Sequence, residues 1–333
     1  MKERLFYLFF IMLASCNSQN SEVERVNVNP EIILNDLETM MPGGLELTRD
    51  YLLWTDPFTI ENYVHIVDRK TGLETAQAVS VGQGPEELVQ PSLSVYRDRD
   101  NSFFVYNANS KKQFKVEITE NGLSQEKVLL DYGEGATITR MLPLNGGRYL
   151  TFNPEKSNPF TVLGDNDSYS FGKLPHESDI TNRYDVFQGT VKYNPAKEVL
   201  VYATFSFPYI SLYKRKNGKF EMEKEVLFST DFQIIDGSLK GNTSKKNISE
   251  IAFTRDYIVT LQRDYSTDNT DEQTVGRNFD KLPQTIFLYD YDLELKRIVH
   301  LGMPVLRLTG DPADNTVYAI GLSPDFVIVK LEI

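Results

Sequence analysis

Asp50-Tyr51-Leu52-Leu53-Trp54 and Asn101-Ser102-Phe103-Phe104-Val105-Tyr106 share one design, a polar turn followed by an aromatic and aliphatic run. The design returns as Gly147-Arg148-Tyr149-Leu150-Thr151-Phe152, Lys197-Glu198-Val199-Leu200-Val201-Tyr202, Asp256-Tyr257-Ile258-Val259-Thr260 and Asn315-Thr316-Val317-Tyr318-Ala319-Ile320. Successive copies lie roughly 45–60 residues apart, the period of propeller blades. A second β-rich run follows each copy: Tyr63-Val64-His65-Ile66-Val67, Gln113-Phe114-Lys115-Val116, Phe160-Thr161-Val162-Leu163, Tyr209-Ile210-Ser211-Leu212-Tyr213, Thr285-Ile286-Phe287-Leu288-Tyr289 and Phe326-Val327-Ile328-Val329. Alternation, β-branched content and flanking turn residues make these strands. The two runs of each copy read as the second and third strands of a blade. Asp68-Arg69-Lys70-Thr71-Gly72 and Lys216-Asn217-Gly218-Lys219 read as hairpin turns into fourth strands.

In the last blade the third strand runs directly to Ile333, which leaves no fourth. Glu31-Ile32-Ile33-Leu34, ahead of blade one, is an otherwise unassigned β-rich run. It is expected to fill that place and close the ring, removing a sheet edge that would invite aggregation. The predicted fold is all-β, a six-bladed β-propeller over residues 31–333 whose N-terminal strand completes the last blade.

Residues 1–15 have the order of a secretory signal. Lys2 and Arg4 are basic, Leu5-Phe6-Tyr7-Leu8-Phe9-Phe10-Ile11-Met12-Leu13 is apolar, and Ala14-Ser15 are small. The apolar run is too short for a membrane-spanning helix, which needs about 20 residues. Leu13-Ala14-Ser15-Cys16 resembles the bacterial lipobox, which implies a diacylglycerol on the Cys16 thiol and cleavage before it. Asn17, in place of Asp, implies outer-membrane sorting by resemblance to the rule of enteric bacteria. Residues 16–30 are expected to be the lipidated cysteine and a polar, flexible tether. The chain is therefore expected to be exported and lipid-anchored to the cell envelope. Cys16 is the single cysteine, so no internal disulfide is available to the fold.

The chain of 333 residues is 41% hydrophobic and carries a net charge of −12. Such a charge repels phosphate backbones, and nucleic acid is excluded as a partner. Its 18 Tyr and 20 Phe suit strands better than helices.

Val81-Gly82-Gln83-Gly84-Pro85-Glu86-Glu87-Leu88 resembles the segment between blades one and two of the TolB-like six-bladed propeller lipoproteins of Bacteroides and its relatives. Those carry a Gly-x-Gly-Pro-Gly-Glu-Phe-like pattern, and Glu86 stands here where a third Gly is usual. The last blade, residues 315–320 and 325–333, is also similar to that family's. The resemblance implies the fold and an envelope location but no reaction, because one fold hosts many functions.

The chemistry-bearing residues are sparse. His65, His176 and His300 have no metal-ligand spacing. Gly82-Gln83-Gly84 is followed by Pro85 and a polar link, whereas a phosphate loop opens a helix. Asp165-Asn166-Asp167 and Asp268-Asn269-Thr270-Asp271-Glu272 are rich in oxygen but lack the glycine and distal glutamate of a calcium loop. There is no Gly-x-Ser-x-Gly elbow. No cofactor is expected, and calcium is the only ion the polar turns leave open.

Long polar connections fall at 174–187, 231–247 and 263–283. The first two link blades three to four and four to five, and the third joins the second and third strands of blade five. In a propeller both kinds of connection open on one face, and long loops in compact domains are usually functional or disordered. A noncatalytic binding or scaffold propeller for an envelope protein, peptide or glycan is the leading expectation. Its candidate binding residues on this face are Asp56, Asn107 and Asn153, just after second strands, with Arg263 and Arg277 in the third loop. For Arg263, Arg277 and Lys281, balancing Asp264 and Asp280 is the expected role. The alternative is a calcium-dependent lactonase-like or other propeller hydrolase, in which Asp56, Asn107 and Asn153 would converge on the channel.

Overall fold

The computed structural model describes residues 23–96, 101–107, 112–128, 140–164, 168–176, 180–241, 247–268 and 279–333. Its strands form the six blades. Blade one is Leu45–Leu47, Tyr51–Thr55, Asn62–Asp68 and Glu74–Ser80. Blade two is Ser92–Val95, Ser102–Asn107, Lys112–Thr119 and Gly122–Lys127. Blade three is Arg140–Pro143, Tyr149–Phe152, Phe160–Leu163 and Tyr169–Phe171. Blade four is Gly189–Asn194, Val199–Thr204, Tyr209–Lys216 and Lys219–Leu227. Blade five is Ile248–Phe253, Ile258–Gln262, Thr285–Tyr289 and Leu295–His300. Blade six is Val305–Gly310, Thr316–Leu322 and Phe326–Glu332, completed by Glu31–Leu34. Each expected second and third strand falls where the sequence places it.

The second strands are apolar without alternation because each blade packs a neighbour on both of its faces. Ser102–Asn107, Tyr149–Phe152, Val199–Thr204 and Ile258–Gln262 are buried at every residue. The core is accordingly divided into slabs between blades. Leu53, Val64, Phe103 and Val116 join blades one and two, and Phe152, Phe160, Tyr202 and Tyr213 join three and four. Val259, Leu288, Val317 and Val329 join five and six. Trp54, Leu52, Tyr318 and Ile328 join blade six back to one.

Closure occurs as expected. Glu31–Leu34 runs antiparallel to Phe326–Glu332, with Glu31 opposite Lys330 and Ile32 opposite Val329. Part of the range expected to be tether, 16–30, is instead strand. Glu24–Asn27 is a strand, laid parallel to Leu295–His300 as a fifth strand of blade five. Val26 packs on the slab between blades five and six, and Glu24 pairs with Arg297 at 2.7 Å. Contacts with residues far along the chain hold this segment, and so short a stretch has no periodicity to reveal them. Cys16 and the expected signal lie outside the described residues.

On the face opposite the long loops, turns clamp neighbouring blades by a repeated motif. Thr48-Arg49-Asp50-Tyr51 and Thr254-Arg255-Asp256-Tyr257 each meet an asparagine of the next blade. Asn101 accepts from Asp50 N at 3.0 Å and Thr48 Oγ1 at 3.2 Å, and donates to the Asp50 carboxylate at 2.8 Å. Asn315 repeats this on Asp256, accepting from its N at 3.1 Å and donating to its carboxylate at 2.7 Å. A net hydrogen bond is worth about 1 kcal/mol, so Asn101→Ala is expected to lower the Tm by roughly 2–5 °C. An unchanged melting curve would show that the clamp adds nothing to the joint between blades one and two.

Candidate functional site

Links between blades and connections between second and third strands share one face, and here they fold rather than trail. Connection 174–187 ends in the short helix Arg183–Phe187, capped by Asn182 Oδ1 accepting from Asp185 N at 3.3 Å. Ile180, Val186 and Phe187 anchor it in the slab between blades three and four. Connection 231–247 forms a hairpin, Phe232–Ile235 with Ser238–Gly241, turning through Asp236 and Gly237 at positive φ. The two connections are one body. Thr181 donates from N and Oγ1 to Gly237 O, both at 2.9 Å, and the Phe232 ring lies 4.7 Å from Phe207.

The third connection, described at 263–268 and 279–283, is built around two buried carboxylates. Asp268 accepts from Asp264 N and Gln284 N, both at 3.1 Å, and from Thr285 Oγ1 at 2.9 Å. Asp264 accepts from Ser266 N and Oγ and from Arg25 of the N-terminal strand. Burial pushes the Asp264 carboxyl up, but the Ser266 and Arg25 donors outweigh it and hold the group below the usual range. The expected charge balance between Arg263 and Asp264 is not what forms. Arg25 pairs with Asp264, while Arg263 donates to Lys281 O and lies 5.8 Å from the Tyr265 ring. Arg277 lies outside the described residues.

Asp56, Asn107 and Asn153 do stand at the ends of second strands on the loop face, yet each is engaged locally. Asp56 accepts from Thr39 Oγ1 and Phe58 N, both at 2.8 Å. Asn107 donates to Val89 O, and Asn153 accepts from Glu155 N at 2.9 Å. None of the three lines the central channel. Among the described residues no group of three or more His, Cys, Asp or Glu is placed to hold a metal ion. His65 stacks on Trp54 at 3.8 Å and meets Glu74 at 2.9 Å. The Gly82-Gln83-Gly84 loop is filled by its own chain. Gly84 N donates to Glu87 at 2.8 Å, and a Cβ on Gly82 would lie 2.0 Å from the same carboxylate oxygen.

The charged wall of the channel is the feature that sequence reasoning missed. The first strands surround a cavity of about 460 Å³, and its wall is charged. Lys192 pairs with Glu46, and Arg307 pairs with Glu250 at 3.3 Å while donating to Gly43 O. Arg140 donates to Gly189 O at 3.4 Å and lies 6.0 Å from the Phe205 ring. Burial pushes the Glu250 carboxyl up, and Arg307, Lys192 and Arg140 only partly offset it. First strands are short, so their charges show no period that would place them on one wall.

No family model matches the chain, and no curated protein does. Solved structures resemble it at low identity. The β-propeller domain of Myceliophteria thermophila Cps50 (Swd1) is 12% identical, with 88% of this chain and 84% of that one covered and a TM-score of 0.46. The Xanthomonas campestris gluconolactonase XC5397 is 10% identical, covering 91% and 89%, at 0.49. Kuenenia stuttgartiensis hydrazine synthase is 12% identical, covering 90% and 97%, at 0.48.

The Arg25–Asp264 pair yields a pH test. A carboxyl held below its unfolded value contributes stability that is complete above the unfolded pKa and lost as pH falls through the folded one. Arg25 is 54% exposed, so the pair is worth at most about 1 kcal/mol. Arg25→Ala is expected to lower the Tm slightly at pH 7, with the deficit shrinking below about pH 4. An equal deficit at pH 7 and at low pH would assign the effect to packing instead.

Proposed function

We propose that this chain is an envelope lipoprotein, anchored through Cys16 as in the TolB-like propellers it resembles, that binds a protein, peptide or glycan on its long-loop face without catalysing a reaction. The observation that carries the reading is where apolar side chains meet water. Met40, Phe58, Ile60, Val89, Tyr184 and Ile235 are exposed, Ile60 at 89% and Met40 at 72%. All six sit in links between blades or between second and third strands, and so on one face. Of the other four exposed large apolar residues described, Ile32, Leu123 and Leu227 belong to fourth strands at the rim, and Leu73 lies at a turn on the opposite face. Scattered apolar exposure needs no explanation, but concentration on one face marks interaction surfaces. The hairpin and helix that brace each other there supply a rigid frame.

The hydrolase alternative requires Asp56, Asn107 and Asn153 to leave their local hydrogen bonds, which costs about 1 kcal/mol each. The binding reading is tested by crosslinked recovery of partners from native membranes. The wild type, Cys16→Ala and a double variant, Phe58→Ser with Ile60→Ser, are compared. Cys16→Ala is expected to leave the membrane fraction. The double variant is expected to remain there, melt normally and lose its crosslinked partner. Membrane retention of Cys16→Ala would refute the anchor. Undiminished recovery by the double variant would refute this face.

A further inference from the structure

We infer that the mouth of the central channel on the loop face is a binding site for a small hydroxylated monocarboxylic acid, held by Arg140. This site is separate from the apolar loop surface and stands whether or not those loops hold a macromolecule. Three observations lead to it. Among the described residues the channel wall carries Arg140, Lys192 and Arg307 against Glu46 and Glu250, a local excess of one positive charge in a chain of net charge −12. Lys192 and Arg307 have the two carboxylates as partners, whereas no described carboxylate forms an ion pair with Arg140. Arg140 is also exposed, whereas the other described residues that line the cavity are buried or half-buried.

Position makes this cation a mouth residue. Arg140 opens the first strand of blade three, and first strands begin at the face that carries the links between blades. Its guanidinium is steadied by Gly189 O, and the Phe205 ring flanks it. A planar fork with one edge held by a backbone carbonyl leaves further N–H groups to present to a ligand, the geometry that suits a carboxylate. The two adjoining blades add hydroxyls at the same end of the channel. Ser92 opens the first strand of blade two, and Thr190 stands second in that of blade four. These are partners for hydroxyl groups on the ligand rather than for a bare hydrocarbon acid.

The charge count sets the valence. One excess positive charge neutralises a monoanion. A dianion such as phosphate would bring a second negative charge towards Glu46 and Glu250. Low-dielectric channel walls strengthen both the attraction and that repulsion. The volume of about 460 Å³ admits a sugar acid or a hydroxy acid with accompanying water but no folded partner.

The test uses the full chain and calorimetric titration with D-glucuronate, lactate and acetate, each against its primary amide. The amide keeps the shape and removes the charge. At least one hydroxylated acid is expected to bind tenfold or more tightly than its amide, and acetate more weakly than that acid. Arg140→Gln is expected to abolish the preference for acid over amide, and Arg140→Lys to keep part of it. Both variants should melt close to the wild type, because the side chain is exposed. Equal binding of acids and amides, no binding by any of the three acids, or an unchanged preference in Arg140→Gln would overturn the assignment. None of these results bears on partner recovery by the Phe58 and Ile60 surface, so the two readings fail separately.

Discussion

One contact between the two ends of the chain, Glu31–Leu34 against Phe326–Glu332, is what makes six similar sheets into one body. Each blade buries both faces against neighbours, so no blade has a core of its own. An open ring would leave the outer edge of blade six unpaired and loosen the slab between blades six and one. That slab contains Trp54, Leu52, Tyr318 and Ile328, each worth about 1.5–3 kcal/mol when fully buried. The chain has one cysteine and so cannot close the ring with a disulfide. Joining ends so far apart in sequence costs little more entropy than joining nearer ones, because loop-closure cost grows only with the logarithm of length.

Closure also separates the work of the two faces. With the ring shut, turns on one side are short and clamp blade to blade through Asn101 and Asn315. The other side is free to vary, and the helix, the hairpin and the 263–283 connection all lie there. The N-terminal segment serves both tasks. Glu31–Leu34 closes blade six, while Arg25, a few residues earlier, holds Asp264 of the long connection. The same ring brings six first strands around a channel, and it thereby places charges from different blades within reach of one small molecule.

How much of this was legible depends on where each residue packs. Second strands such as Phe103-Phe104-Val105-Tyr106 are buried on both sides and announce themselves as unbroken apolar runs. Fourth strands do not, because Gly122–Lys127 is exposed at every residue and reads as a polar loop. Glu24–Asn27 reads as tether because Val26 is its only residue that is not exposed. The sequence puts Asp56, Asn107 and Asn153 at second-strand ends, but nothing in it reveals that Phe58 N, Val89 O and Glu155 N claim them. Arg140, Lys192 and Glu250 belong to different blades. Only the ring makes them neighbours, so no local pattern could have found the channel's charged wall.

The closed ring is tested most directly by a crosslink across its seam. Glu31→Cys and Lys330→Cys, introduced together in a Cys16→Ala background, replace directly opposed residues of the two terminal strands. Mild oxidation should form one intramolecular disulfide, seen as a loss of both free thiols and a faster-migrating monomer, and should raise the Tm. Two thiols that stay free and reactive under the same oxidation would contradict the closure on which the account of both faces and the channel rests.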